Sequence, residues 1–266
     1  MYSYTDIVEV VQNQGSIVAP RGIETFELIG PSITFPAGTQ IHRTKMSSLL
    51  GFTEAMMLVG GMFDIDLIAQ VAPNAKLELY RKQSDYGNRV GTQIQKCFET
   101  LIHDPYSRRA VALLNDRELS CTDDLACTTS IQFLIRNEQL ETIVSMRSWD
   151  LVYGFPLDII MFGMLTQVMA RTLNVIPGHV KVYAGSLHVY NNNTLKLATE
   201  ASSPSAFWID DSWHFCNNIL GAQKYARDQV LGECGFANRG PLTWPHRPHT
   251  VYSEKMSTSQ PFQFKF

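Results

Sequence analysis

The chain has 266 residues, 45% of them hydrophobic, 18% charged and 11% aromatic. That is enough apolar material for a sizeable core in one domain spanning residues 1–266, and no low-complexity tract or repeat suggests a solenoid or a disordered chain. A formal net charge of −3 excludes the broad basic footprint of a non-specific nucleic-acid binder, and MYSYTDIVEV has no basic stretch leading into an apolar run. No apolar stretch is long enough to span a bilayer, so a cytoplasmic protein with no membrane partner and no direct nucleic-acid binding is expected.

In chain order, residues 21–35 alternate apolar and polar around Phe26, Leu28 and Ile33, which predicts a strand pair broken at Gly30-Pro31. In SSLLGFTEAMMLVGG, Leu49, Leu50, Phe52, Met56, Met57 and Val59 fall at helical spacing with Gly60-Gly61 as the stop. That places Glu54 in a mostly apolar helix. A second helix is expected over residues 90–104, ending before Pro105, and RAVALL at 109–114 reads as a buried strand. SIQFLIR (130–136) and QLETIVSMRS (139–148), separated by Asn137-Glu138, predict a hairpin with one apolar face and Arg147 at its far end.

Pro156 to Leu173 reads as one long apolar helix with Pro in its first turn, where a missing N–H costs little. HVKVYAGSLHVY (179–190) alternates as a strand, and NNNTLKLATEA (191–201) resembles a capped helix. Helices and strands are mixed without strict alternation, so the class is α+β.

Five cysteines, Cys97, Cys121, Cys127, Cys216 and Cys234, include no CxxC pair and no zinc-like Cys/His spacing. They read as free thiols, and no metal is expected. A lone Cys is most often a small core hydrophobe. Cys127 differs because it directly precedes a strand and is followed by a dense set of Arg, Ser, Asp and His; positive charge lowers a thiol pKa, and Arg147, Arg108 and Arg109 are available to supply it. Arg108-Arg109 is either a solvated turn or part of a site for a phosphate dianion.

Asp158 lies one turn into an apolar helix, where a carboxylate is costly unless paired, hydrogen-bonded or exposed. The local reading is an acid favoured by the helix N-terminus. Ser186, His188 and Tyr190 alternate on one strand as a polar stripe facing either solvent or a ligand.

Taken together, Cys127 in LACTTSIQF, then MRSWDLVYGFPLD, then GSLHVYNNN resemble the thymidylate synthase pattern of a catalytic Cys, Q-R-S-x-D-x-x-L-G-x-P-F-N and G-D-x-H-x-Y-x-N. SRRA at 107–110 resembles that family's S-R-R phosphate motif, and Arg21 and Glu54 fall where the family has an Arg and a Glu. Order and spacing agree over roughly residues 20–195. The resemblance implies a mixed sheet with surrounding helices, one sheet face forming a homodimer interface, and 5,10-methylenetetrahydrofolate as cosubstrate.

By the same resemblance Cys127 is the nucleophile for carbon 6 of a pyrimidine, with Glu54, Tyr86 and Asp158 among the catalytic groups. Arg21, Arg147 and Ser148 bind the 5′-phosphate, Arg108 and Arg109 reach it from the second subunit, and Gln132 lies near that end. His188 and Tyr190 hold the deoxyribose hydroxyl, while Glu54, Tyr80, Asp150 and Gly154 serve the folate.

The departures from the pattern point to the substrate. Asp158 stands where the family has an Asn whose amide reads uracil, and cytosine reverses both the donor and the acceptor that amide meets. A carboxyl accepts from the 4-amino group and, when protonated, donates to ring nitrogen 3. Asp158, GSLHVY and QFLIR resemble the phage branch that hydroxymethylates dCMP. That activity is expected, with dCMP methylation by hydride transfer and a dUMP-using synthase as alternatives. Ser186 replaces the family's Asp, Thr128 replaces its His, and the terminal PFQFKF does not match the synthase tail.

Overall fold

The computed structural model describes residues 1–41, 48–73, 85–115, 125–192, 196–197, 204–209, 219–231, 251–255 and 261–266. The chain opens on helix α1 (Tyr4–Gln14), where Ser3 and Asp6 close a capping box and Ile7, Val8 and Val11 form the buried face. Short β1 (Ser16–Val18) follows, then a 3₁₀ turn (Pro20–Gly22) that holds Arg21 at φ 54° and ψ 27°. Next come β2 (Thr25–Ile29), β3 (Ser32–Pro36), β4 (Thr39–Gln40), α2 (Ser48–Gly60), α3 (Ile65–Val71) and α4 (Tyr86–His103). The second expected helix therefore begins four residues early and takes in Tyr86.

The hairpin β6 (Thr128–Arg136) and β7 (Gln139–Met146) forms where the alternation predicts it. Arg136 pairs with Gln139, and Asn137 and Glu138 both take positive φ, as a two-residue type I′ connection requires. Strand β5 (Val111–Leu113) pairs with β6 at the sheet edge. It alternates exposed, buried, exposed, so the buried strand expected at 109–114 is an edge strand in which Ala112 is the buried residue. After the short β8 (Trp149–Asp150), helix α5 (Phe155–Thr172) crosses back to β9 (Ile176–Ala184), which lies parallel to β7, as a crossover connection allows. Then come β10 (Ser186–Tyr190), β11 (Ser205–Ile209), α6 (Ile219–Leu231), β12 (Val251–Lys255) and β13 (Gln263–Lys265).

The largest sheet has the order β13-β3-β9-β7-β6-β5. Ile33, Phe35, Ile131, Phe133, Val144, Val180 and Val182 fill its inner face against α5, and the Thr166 hydroxyl joins the Thr142 hydroxyl across that contact at 2.8 Å. Helix α2 packs on the far side of α5; a Cβ on Gly51 would sit 3.1 Å from Ile160 Cδ1, so the glycine permits the approach. None of the described helices is long and apolar enough to cross a membrane.

Two other sheets, β1-β2-β10-β8 and β12-β11-β4, complete the fold. Strands β2 and β3 do not pair with each other as their sequence suggests; each belongs to a different sheet, with Gly30 at φ 73° between them. The single strand expected at 179–190 is likewise divided at Gly185. There the amide of Gly185 donates to Met146 O at 2.8 Å, its carbonyl accepts from Gly30 N at 3.0 Å, and a Cβ would meet Arg147 O at 2.8 Å. The chain thus crosses between the large sheet and the four-stranded one three times along one seam: into the large sheet at Gly30-Pro31, and out of it at Arg147-Ser148 and at Gly185. The helix expected at 191–201 lies largely outside the described residues.

Candidate active site

The seam gathers most of the residues singled out in the sequence. Cys127 immediately precedes β6, and its carbonyl accepts from the amide of Arg147 at 2.8 Å. The Arg147 guanidinium turns back on the same loop, with Nη2 donating to Leu125 O at 2.7 Å and Nε to Ala126 O at 3.2 Å. Burial pushes the Cys127 thiol above its ordinary value; Arg147 and Arg21 pull it down, and Asp158 and Asp150 push it further up. Two cations and two carboxylates from four segments therefore surround one thiol.

Asp158 sits in the first turn of α5, and its Oδ2 accepts from the indole N–H of Trp149 at 2.9 Å. Desolvation raises its pKa to about 7, against the lowering effect of the Trp149 hydrogen bond and with a further push from Asp150. The helix N-terminus that would favour its charge does not prevail. Tyr86, the first residue of α4, accepts from the Thr128 amide at 3.2 Å. Burial, with Cys127 and Asp158 nearby, pushes its phenol well above the usual range. The Asp150 carboxylate caps the start of the next turn, accepting from Val152 N at 2.7 Å.

His188 and Tyr190 face this cluster from β10, with ring centroids 5.2 Å apart at 80°. Of the two orientations the stripe allowed, it faces the candidate site: Tyr190 hydrogen-bonds Arg21, and burial raises its phenol, as do Asp150 and Cys127. His188 is only 8% exposed, and its Nδ1 is buried with no hydrogen-bond partner among the described residues. In register, His188 lies between Glu27 on β2 and Asp150 on β8. Ser186, two residues away on the same face, donates to Glu27 Oε1 at 2.5 Å.

Ser148 lies half-buried at the seam, and Gly154 precedes α5, where a Cβ would stand 3.2 Å from Asp158 Oδ2. Glu54 is half-buried on α2. Arg108 and Arg109 are not brought to the thiol within this chain: both are exposed beside β5, where Gln132 Nε2 donates to Arg108 O at 2.9 Å. Gln132 is five residues along β6 from Cys127, roughly 16 Å at the rise of a strand. Tyr80, Cys121, Cys216 and Cys234 lie outside the described residues, and Cys97 is a buried core residue of α4. Among the described residues no three His, Cys, Asp or Glu side chains are grouped to hold a metal ion.

Two residues of the cluster carried no signal of their own. Glu27 is one polar position in an alternating strand, and Trp149 reads as core, which at 1% exposure it also is. Only their partners, Ser186 and Asp158, reveal them.

The arrangement defines a class: an α+β protein with a desolvated thiol among arginines and carboxylates at a junction of two sheets. Residues 74–206 match the thymidylate synthase family, and the chain belongs to it. It is 28% identical over 218 residues to the deoxyuridylate hydroxymethyltransferase of Bacillus phage SP01, covering 70% of this chain and 56% of that protein. It is 25% identical over 172 residues to the thymidylate synthase of Ascaris suum, covering 63% and 56%. With the thymidylate synthase of Bos taurus the identity is 29% over 119 residues, covering 44% and 34%. The chain thus spans at most a little over half the length of these relatives.

Proposed function

We propose that the chain is a one-carbon transferase that acts on carbon 5 of dCMP, with 5,10-methylenetetrahydrofolate as cosubstrate and 5-hydroxymethyl-dCMP as product. The observation that carries this reading is the Asp158 carboxyl, poised at a pKa of about 7 where the family motif ends in Asn. A carboxyl that holds a proton at neutral pH both donates and accepts, which is what ring nitrogen 3 and the 4-amino group of cytosine require.

In this reading the Cys127 thiolate adds to carbon 6, and the carbon 5–carbon 6 electron pair moves to carbon 5, which bonds to the incoming carbon. The folate supplies that carbon when bound. Asp150, Gly154, Glu54 and Tyr80 would hold it, and a Cβ on Gly154 would crowd Asp150 O and Asp158 Oδ2 at 3.2 Å each, so the glycine keeps that side of Asp158 clear. Loss of the carbon 5 proton, with cleavage of the bond between the new carbon and the folate nitrogen, whose pair leaves on nitrogen as tetrahydrofolate, gives an exocyclic methylene; water adds its oxygen there and gives up a proton to the surrounding acid–base groups. Cys127 then departs with its bonding pair, restoring the ring. Tyr86, beside Cys127 and Asp158, joins the proton transfers, while His188 and Tyr190 hold the sugar.

Arg21, Arg147 and Ser148 bind the 5′-phosphate in this reading, and Gln132 lies toward that end. Arg108 and Arg109 complete the phosphate site of a partner copy, in a homodimer formed through the outer face of the large sheet. That face carries Leu134, Ile143 and the exposed Tyr183, with exposed Val111 and Leu113 at its edge. A second reading, hydroxymethylation of dUMP, is favoured by the similarity to the deoxyuridylate hydroxymethyltransferase of phage SP01. Mass spectrometry of the product formed from methylenetetrahydrofolate and either nucleotide tests both. A hydroxymethyl adduct on dCMP alone supports the first reading, the same adduct on dUMP alone supports the second, and a methyl adduct removes the water step.

A further inference from the structure

A neutral carboxyl is ambivalent. With its proton on one oxygen it presents donor then acceptor along a base edge; with the proton on the other oxygen the order reverses, and the edge suits uracil as well as cytosine. Asp158 alone therefore does not discriminate, and something must decide which oxygen carries the proton.

The indole N–H of Trp149 is a donor only, and it meets Oδ2 at 2.9 Å. An oxygen that accepts this bond is better matched as the carbonyl oxygen, which leaves the proton on Oδ1. No other hydrogen bond to the carboxyl occurs among the described residues. The donor itself cannot swing away. Trp149 is 1% exposed, and its ring lies on Phe155 with centroids 4.7 Å apart; Phe155 is in turn held by Tyr4 at 5.5 Å and Phe262 at 5.3 Å. The Tyr4 hydroxyl is tied to Leu151 O at 2.7 Å.

We propose that Trp149 is the positioning residue for base choice: by engaging Oδ2 from a locked aromatic stack, it fixes the proton of Asp158 on Oδ1 and so gives the carboxyl one donor–acceptor order. This rests on the reading that Asp158 pairs with the pyrimidine edge. The charged and titratable groups facing Asp158 are Asp150 on β8, Cys127 before β6 and Tyr86 on α4. The indole bond acts against the carboxyl's raised pKa, so losing it pushes the carboxyl higher still.

The test compares kcat/KM for dCMP and dUMP, across pH, in Trp149→Phe and in a second variant with 3-benzothienylalanine at position 149, which keeps the bicyclic shape without the N–H. The preference between nucleotides is expected to fall about tenfold in both variants. The high-pH limb of kcat/KM for the favoured nucleotide is expected to move upward, because the neutral carboxyl persists to higher pH. A purely structural role would lower both nucleotides alike and leave the limb in place. That outcome, or an unchanged preference in the benzothienyl variant, overturns the proposal for Trp149. Asp158→Asn separates the two readings: if it leaves the preference unchanged, the pairing of Asp158 with the base fails; if it shifts the preference while both Trp149 variants do not, only the role of Trp149 fails.

Discussion

Arg147 and Cys127 are joined through the main chain as well as by charge: the Arg147 amide donates to the Cys127 carbonyl at 2.8 Å, and the guanidinium binds the carbonyls of Leu125 and Ala126 just before the thiol. One residue therefore sets both the position of the thiol and part of its acidity. Asp150 opposes it, raising the thiol pKa where Arg147 lowers it.

Opposite substitutions should then move the thiol in opposite directions. Arg147→Ala is expected to slow alkylation of Cys127 by iodoacetamide at neutral pH by about three- to tenfold, because less thiolate is present. Asp150→Asn is expected to speed it. Mass spectrometry of the labelled Cys127 peptide reads both rates, and the assigned electrostatics are wrong if the two variants shift the rate in the same direction.

How much of this was legible in the sequence follows from the range of each signal. The hairpin of β6 and β7 and helix α5 rest on local alternation and local apolar runs, and both stand where the sequence placed them. The division of β2 from β3 and of β9 from β10 is not local, because it depends on Gly30 and Gly185 meeting across the seam. Asp158 was visible as an anomaly, a carboxyl in an apolar helix. Its explanation was not, since Trp149 looks like any core aromatic until its N–H is seen 2.9 Å from Oδ2. His188 and Tyr190 were visible as a polar stripe, and only the sheet neighbours Glu27 and Asp150 give that stripe a direction.

Asp158 also links the site to stability. Unfolded, the carboxyl titrates near 3.8; folded, near 7. Between those values the folded protein holds a proton that the unfolded chain has lost, so stability falls as pH rises through that window, and the loss is complete above about 7. Asp158→Asn carries no such dependence. The melting temperature of the unsubstituted protein, measured relative to Asp158→Asn, should therefore decline by roughly 10 °C as the pH is raised across the window. Calorimetry or thermal shift gives the comparison, and parallel curves for the two proteins would show that the carboxyl is not desolvated in the fold.

The position of Arg108 and Arg109 leads to a test of the assembly. Within one chain both are exposed beside β5 and lie along β6 from the thiol, with the Gln132 side chain bonded to the carbonyl of Arg108. If they serve the phosphate site of a second copy, two inactive proteins should rescue each other. A Cys127→Ser chain keeps its arginines, and an Arg108→Ala, Arg109→Ala chain keeps its thiol. After the two are mixed in equal amounts and allowed to exchange subunits, half of the dimers are mixed and each has one complete site, so about one quarter of the full activity should return. Activity that stays at the level of the separate variants, with subunit exchange verified by native mass spectrometry, would place these arginines outside the active site of either copy.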